Sequence, residues 1–561
     1  VKLDRQSRLW LGISLLCTCY YGICFYYFVF NQEYIVQDDA RQHIVWLQSF
    51  VDPDLFPNDL IAEYFSGLAP LGFKCLFLLA AKLGIEPILF AKLLPPILAI
   101  VTVIYIYLFT LKILPMPIAG FISSLLLNQL IWLNDDLVSS TARAFIYPLF
   151  AAFLYYLAIE AILPSLIIML LQGLFYPHIV LIEIVILSLR LLNLSGSFLV
   201  KLTTSKQPYL WWLAGLIVTA ISLYPITQKP PELATAVSAL QMQQMPEFNL
   251  GGRTPYFGRN WFIYWLSGSS GLSLSLFPTI VWTGLTLPWM LTRRTRIVKL
   301  VTHKIAILAQ VIIASLIMFS LAHILLPELH LPSRYTYHTL RFILAISSGI
   351  VITIWLDAGK RWLQSKRRFK LIEKAKLALV TFFILTAIIF PAIPSVFINW
   401  FQGWRIGTAP EIYQYLAQQP KDIIVASLSQ EVNNIPAFSQ RSILMGDEFA
   451  MAYHPVYYEG VKQRTVGLLQ AQYTTDLQIL QSFIQQYGVD YLLIDKAAFS
   501  SAYLLDKKWL VNSSFSETTK EAIAFLESDR ISVLEQFVTS CSVVSTESLN
   551  LLETSCIGNQ L

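Results

Sequence analysis

Tyr34-Ile35-Val36-Gln37-Asp38-Asp39-Ala40-Arg41-Gln42-His43 follows an apolar run, residues 10–30, that is itself preceded by Lys2, Arg5 and Arg8. The order of these three pieces governs the reading of the whole chain. Roughly 20 apolar residues suffice to cross a hydrocarbon core about 30 Å thick. Basic residues ahead of such a run stay on the cytoplasmic side. Residues 10–30 are long for a secretory signal and lack a clean small-residue cleavage site, so they read as a retained membrane helix with the N-terminus inside. Residues 34–43 then emerge on the opposite face, carrying two adjacent carboxylates almost at the membrane surface.

The rest of the chain has the same character. Of its 561 residues 56% are hydrophobic, 14% aromatic and only 13% charged, more apolar than a soluble core requires. Spans are expected at 10–30, 87–111, 115–134, 141–162, 163–175, 177–193, 209–224, 270–292, 302–326, 337–356 and 375–396. With that count the basic loops all fall inside: Lys112; Arg190, Lys201 and Lys206; Arg293, Arg294, Arg296 and Lys299; then Lys360, Arg361, Lys366, Arg367, Arg368 and Lys370. The stretch 69–83, short and carrying Lys74 and Lys82, reads as a helix in or dipping into the outer interface. The expected fold class is a polytopic α-helical membrane protein of about 11 spans in the plasma (inner) membrane. Its net charge of +5 sits in short inter-span loops, which explains the charge by orientation and gives no nucleic-acid partner.

From about residue 400 the pattern changes. Amphipathic stretches at 411–418 and 475–487 alternate with short apolar runs, Ile423-Ile424-Val425-Ala426 and Tyr491-Leu492-Leu493-Ile494, the signature of a small α/β domain. The odd span count places it outside. The expected division is 1–400, a transmembrane domain with an outer loop at 31–86, and 401–561, a soluble extracytoplasmic α/β domain. There an oxidising compartment permits a Cys541–Cys556 disulfide. No zinc spacing, Walker loop or dinucleotide glycine fingerprint occurs, which removes support for an ATP-driven pump or a nicotinamide enzyme.

Polar chemistry collects in the outer loops. Asp38 and Asp39 open an amphipathic stretch, and one of them serves equally well as a helix N-cap. A second pair, Asp135 and Asp136 in Asn134-Asp135-Asp136, lies at the outer end of the third span, followed by Arg143; a solvated turn is the alternative. Together these carboxylates could take a proton from an acceptor hydroxyl or hold a divalent cation (Mg or Mn), with Asp39 and Asp136 as its ligands. Cationic and titratable groups share that face: His178 after Pro177, Arg253 and Arg259 in a glycine-rich loop, and Arg334, Tyr335, His338 and Arg341. Guanidinium forks match phosphate oxygens, although an arginine at a helix end also snorkels to headgroups. Glu183 lies inside a span and is expected to face the bundle interior.

This layout resembles the GT-C superfamily of membrane glycosyltransferases, which have an acidic motif in the first outer loop, interfacial helices, and a second acidic residue in the next outer loop. Asp38-Asp39, the stretch after Leu68-Ala69-Pro70-Leu71-Gly72, and Asp135-Asp136 stand in those places. Phe90-Ala91-Lys92-Leu93-Leu94-Pro95 is similar to the family's Arg-Leu-Pro sequence, with lysine for arginine and one extra leucine. The resemblance implies transfer of a sugar from a polyprenyl-phosphate carrier to a glycan, lipid or protein acceptor outside the cytoplasm. It implies a base at Asp38 or Asp39, assistance or metal binding by Asp135 or Asp136, and stabilisation of the departing phosphate by Arg143, Arg334, Arg341 or Lys92. The tail has no Trp-Trp-Asp motif, since Trp211-Trp212 falls within a span, and the resemblance does not extend to protein N-glycosylation. Arg441, Asp447-Glu448, Tyr453-His454-Pro455 and Tyr457-Tyr458 form a polar, aromatic set in the tail suited to covering a site or binding a glycan, with the ordinary surface of a folded domain as the commoner explanation.

Two other classes fit some of these residues. A transporter or lipid flippase would use His178 and Glu183 as a proton relay and predicts internal repeats of spans, which are not visible. A scaffold or receptor would leave the two acidic loops and the outer arginines without a role.

Overall fold

The computed structural model describes residues 3–194, 200–229, 233, 235–275, 277–293, 295–365, 379–380, 382, 386–387, 389–393, 403–528 and 530–558. Most of the expected span 375–396, Arg294 and the basic stretch 366–370 lie outside the described residues. Among the described residues five helices are long and apolar enough to cross a membrane: Arg5–Phe30, Pro87–Ile113, Lys206–Thr227, His303–Ile324 and Pro332–Trp362. Shorter apolar helices, Pro117–Trp132, Ala142–Ala158, Ile162–Phe175, Pro177–Leu189 and Thr279–Leu291, occupy five further positions where spans are expected. Leu60–Leu68 and Leu71–Lys82 meet at 112°. The bend falls at Ala69-Pro70, as expected where a proline disfavours helix at the residue before it.

Local chemistry sets these elements. Asp4 caps the first helix by accepting from Ser7 N at 3.0 Å. Pro332–Trp362 is the most enclosed of the five long helices. It can lie backbone to backbone against Pro117–Trp132 because Gly349 has no Cβ, which would sit 2.1 Å from Ser123 Oγ. This central helix carries His338 and Arg341 near its start, and both are buried.

The tail holds a five-stranded sheet of β5 (Ile424–Ala426), β6 (Ser442–Ile443), β7 (Tyr491–Asp495), β8 (Ser542–Ser545) and β9 (Leu549–Glu553), in the order β6-β5-β7-β9-β8. β5 is parallel to both β6 and β7, and β9 runs antiparallel to β7 and β8. The Tyr491-Leu492-Leu493-Ile494 run is buried throughout, as befits a strand covered on both faces. Cys541 and Cys556 form the expected disulfide, with Cα atoms 5.6 Å apart.

Strand pairing and buried polar contacts join the tail to the helical part. β1 (Ile35–Gln37), at the start of the first outer loop, pairs antiparallel with β4 (Trp404–Ile406), setting Val36 opposite Arg405. Glu247, from the loop after Lys206–Thr227, accepts from Ser514 N at 2.7 Å and Tyr458 Oη at 2.5 Å.

Candidate active site

Asp38 and Asp39 are the first two residues of the helix Asp38–His43, whose N-cap is Gln37: its side chain accepts from Ala40 N at 3.1 Å. Neither aspartate is therefore spent on capping. Asp38 is gripped by two guanidinium groups. Arg405 donates to it through Nε at 3.1 Å and Nη2 at 2.9 Å, and Arg41 donates from one turn along the helix. Burial alone would raise the Asp38 carboxyl, but the Arg405 hydrogen bond and the Arg41 charge outweigh it and hold it below the ordinary carboxylate value. Arg41 also reaches Glu448 at 3.2 Å and Asn434 at 3.0 Å, and Arg253 lies 3.4 Å from the same Glu448 carboxylate. Burial, partly offset by Arg253, raises the Glu448 carboxyl.

The second acidic loop meets the first at Arg143. Its Nη2 donates to Asp39 and to Asp135, the latter at 3.1 Å, and its Nε lies 3.4 Å from Asp136. The three carboxylates differ sharply in surroundings. Asp136 is fully buried, receiving Arg341 Nη1 at 2.7 Å and Tyr147 Oη at 3.0 Å, with His338 Nδ1 at 3.9 Å. The Asp39 and Asp135 side chains remain 27% and 38% exposed, which leaves them able to meet a ligand. Burial, then the neighbouring Asp136 charge, pushes the Asp135 carboxyl up to about 6.

Arg334 differs from the other arginines here. The carboxylates around it, Asp135 and Asp136, pair with other guanidinium groups. Among the described residues Arg334 makes no ion pair; its partner is Tyr176, and Asp135 and Asp136 act on it only at longer range. Its positive field is felt by the rings nearby: burial and then the Arg334 charge push His43 down to about 4.

The remaining expected residues scatter. His178 is half-buried against Tyr176, His330 and Tyr335, at ring separations of 5.0, 5.4 and 5.9 Å. Tyr335 donates to Leu329 O at 3.0 Å, a purely internal bond. Lys92 lines a separate cavity of about 370 Å³ with Glu33, Gln48, Glu86 and Arg441, and none of the four aspartates borders it. Arg259 does not reach the carboxylates; its Nη1 lies 3.4 Å from Ser267 O. Glu183 is buried with neither carboxylate oxygen hydrogen-bonded. Sequence reasoning missed Arg405, Arg41 and Tyr147 as members of the cluster. Arg41 stood inside the quoted motif, but nothing local marks Arg405.

The expected cation ligands Asp39 and Asp136 both face Arg143, whose guanidinium stands where a cation shared between them would stand. Among the described residues no three His, Cys, Asp or Glu side chains are placed to hold a metal ion together.

This architecture is shared with solved structures. The crystal structure of the Archaeoglobus fulgidus oligosaccharyltransferase in its apo form aligns over 92% of this chain and 72% of that one, with TM-score 0.54 and 12% identity. The same enzyme tethered with an acceptor peptide containing the NVT sequon aligns over 91% and 72%, with TM-score 0.51 and 12% identity. The archaeal oligosaccharyltransferase AglB from Archaeoglobus fulgidus, in complex with an inhibitory peptide and a dolichol-phosphate, aligns over 92% and 73%, with TM-score 0.52 and 11% identity. No protein-family model matches the sequence, and no curated protein does. At 11–12% identity the likeness is one of fold: the chain shares the fold of these oligosaccharyltransferase structures, the layout that the resemblance implies.

Proposed function

We propose that this chain is a membrane glycosyltransferase that moves a sugar from a polyprenyl-phosphate carrier to a hydroxyl on a glycan, lipid or protein at the extracytoplasmic face. In this reading the N-terminus is cytoplasmic, the chain crosses the membrane about 11 times, and residues 1–400 form the membrane domain beneath a soluble domain at 401–561. The observation that carries the reading is the meeting of two acidic loops on Arg143, between residues 104 apart in sequence, beside Arg334, which among the described residues has no carboxylate of its own. That pairing offers a proton acceptor and an anion-binding cation at one place. A dolichol-phosphate bound to an oligosaccharyltransferase of the same fold supports the donor class.

Asp39 is the proposed base. Asp38 is committed to Arg41 and Arg405, whereas among the described residues Asp39 is held by Arg143 alone. The acceptor O–H gives its proton to the Asp39 carboxylate as its oxygen bonds to the anomeric carbon. The carbon–oxygen bond to the carrier phosphate breaks, and its electron pair leaves with the phosphate. Arg334 stabilises the charge that develops there. Asp135 holds the acceptor, and Asp136, locked by Arg341 and Tyr147, fixes Arg143.

The test is mass spectrometry of the purified chain with a panel of polyprenyl-phosphate sugars and hydroxyl acceptors. Release of free polyprenyl phosphate by wild type, lost in the Asp38→Asn/Asp39→Asn double variant, is expected. Equal release by the folded double variant would remove these aspartates from the chemistry.

A further inference from the structure

Residues 261–266 read Trp-Phe-Ile-Tyr-Trp-Leu, and they form a short helix with no buried residue. Trp261 is 76% and Phe262 66% exposed, and Ile263, Trp265 and Leu266 are each exposed as well. So many large apolar side chains on one uncharged turn mark an interaction surface rather than a wetted loop. The helix is fixed in place. Trp265 packs against Phe319 and His323, at ring separations of 6.2 and 5.0 Å, near the end of His303–Ile324. Tyr264 donates to Tyr256 Oη at 3.2 Å, and Tyr256 in turn meets His323 Nδ1 at 2.8 Å. This is the end of the bundle that carries the aspartates: Ser333 N, in the first turn of the central helix, donates to Ser269 O at 3.2 Å.

The surface is continuous with the exposed apolar face of His303–Ile324, where Leu321, Ile324 and Leu325 stand open beside it. On a membrane-crossing helix that face meets lipid. Tryptophan and tyrosine favour the headgroup level, where the ring is half in hydrocarbon and the N–H or O–H still finds a polar partner. Arg259 stands just ahead of this helix, over Gly268, with no carboxylate partner among the described residues. Its guanidinium thus lies at the polar edge of the aromatic turn, where phospholipid phosphates would be.

We propose that residues 259–266 are a phospholipid anchor, with the aromatic turn seated in the leaflet next to the active site and Arg259 on headgroup phosphate. The anchor steadies the loop that carries Arg253 to Glu448. It rests on the membrane reading and not on the glycosyl-transfer reading.

The first experiment places one copy of the unaltered chain per phospholipid nanodisc and maps hydroxyl-radical oxidation by mass spectrometry. Trp261 should oxidise less than Trp509, a half-buried tryptophan of the tail, despite its greater exposure in the chain itself. Oxidation of Trp261 above Trp509 would overturn the proposal, and would leave a protein partner as the occupant. The second uses Phe262→Cys, with Cys17, Cys19, Cys24 and Cys75 replaced by serine, labelled with an environment-sensitive dye in phosphatidylcholine and phosphatidylglycerol vesicles. Nitroxide lipids should quench the dye several-fold more than aqueous iodide does, with the order reversed for a dye at Asp54→Cys. Arg259→Gln should weaken lipid quenching in these vesicles and leave it unchanged in phosphate-free galactolipid vesicles, and added inorganic phosphate should have no effect. Preferential quenching by iodide, or equal effects of Arg259→Gln in both lipids, would contradict the assignment.

Discussion

Arg405 grips Asp38 with two donors, Nε at 3.1 Å and Nη2 at 2.9 Å, across a sequence separation of 367 residues. The β1–β4 ladder, which sets Val36 opposite Arg405, makes the contact possible. Because the Arg405 side chain is 53% exposed, removing it should cost little stability, about 0.2–1 kcal/mol. Arg405→Ala should nevertheless lower transfer, because Asp38 then rests on Arg41 alone and the helix carrying Asp39 loses a restraint. Arg405→Lys, which keeps the charge but not the fork, should fall between. Steady-state rates beside thermal denaturation separate the two effects.

The sign of the Asp38 linkage follows from its depressed carboxyl. Its contribution to stability is fully present above the ordinary carboxylate value and is lost as pH falls through the lower folded value. Arg405→Ala should flatten part of the acid limb of a thermal-stability profile below about pH 4.

Asp39→Asn should reduce lipid-phosphate release by about 10²–10⁴-fold, the usual range for loss of a general base. Asp38→Asn should keep measurable activity if, as proposed, its carboxylate positions rather than accepts. Comparable losses in both variants would place the base at Asp38 or share it.

Asp135 titrates at about 6 in the folded chain, raised by burial and by Asp136. Its stabilising contribution is present below the ordinary aspartate value and is lost as pH rises through 6. Asp135→Asn should therefore gain thermal stability relative to wild type at pH 7–8. If the ionised carboxylate holds the acceptor, wild-type transfer should fall as pH drops below about 6, and the variant should lack that step.

Arg143 neutralises Asp39 and Asp135 and approaches Asp136, so chelation of divalent cations should leave wild-type transfer unchanged. Arg143→Ala should be nearly inactive and less stable, because it leaves buried Asp136 with one guanidinium fewer. Loss of wild-type activity on chelation, restored by Mn, would show that a cation displaces Arg143 in the working enzyme.

How much of this was legible in the sequence depended on distance along the chain. Asp38-Asp39 and Asp135-Asp136 are visible because paired like charges at the ends of apolar runs are local patterns. Arg143 is visible because it lies eight residues beyond Asp135. The Arg41–Glu448 contact spans 407 residues and depends on how the tail seats itself, which no window of sequence encodes. Arg259 shows the converse. Its charge is plain, but the direction of its loop is set by Trp265 packing on Phe319 and His323, and it ends beside the aromatic turn. The helical bundle was legible from apolar length. Several of its helices are only 10–17 residues long, and Pro117 and Pro177 open two of them where the ring dispenses with a backbone donor.

The three-residue ladder between Ile35–Gln37 and Trp404–Ile406 also bears on how such a protein can diversify. A chimaera joined just after Ile406 would inherit Arg405 together with the whole carboxylate cluster. The incoming module would need to supply a carboxylate in the place of Glu448 and an amide in the place of Asn434 to keep Arg41 and Arg253 occupied, and donors in the place of Tyr458 and Ser514 for Glu247. A module that meets those contacts could differ elsewhere, so under the proposed function recognition of new acceptors could be acquired by recombination while the carboxylate cluster passes unaltered from parent to descendant.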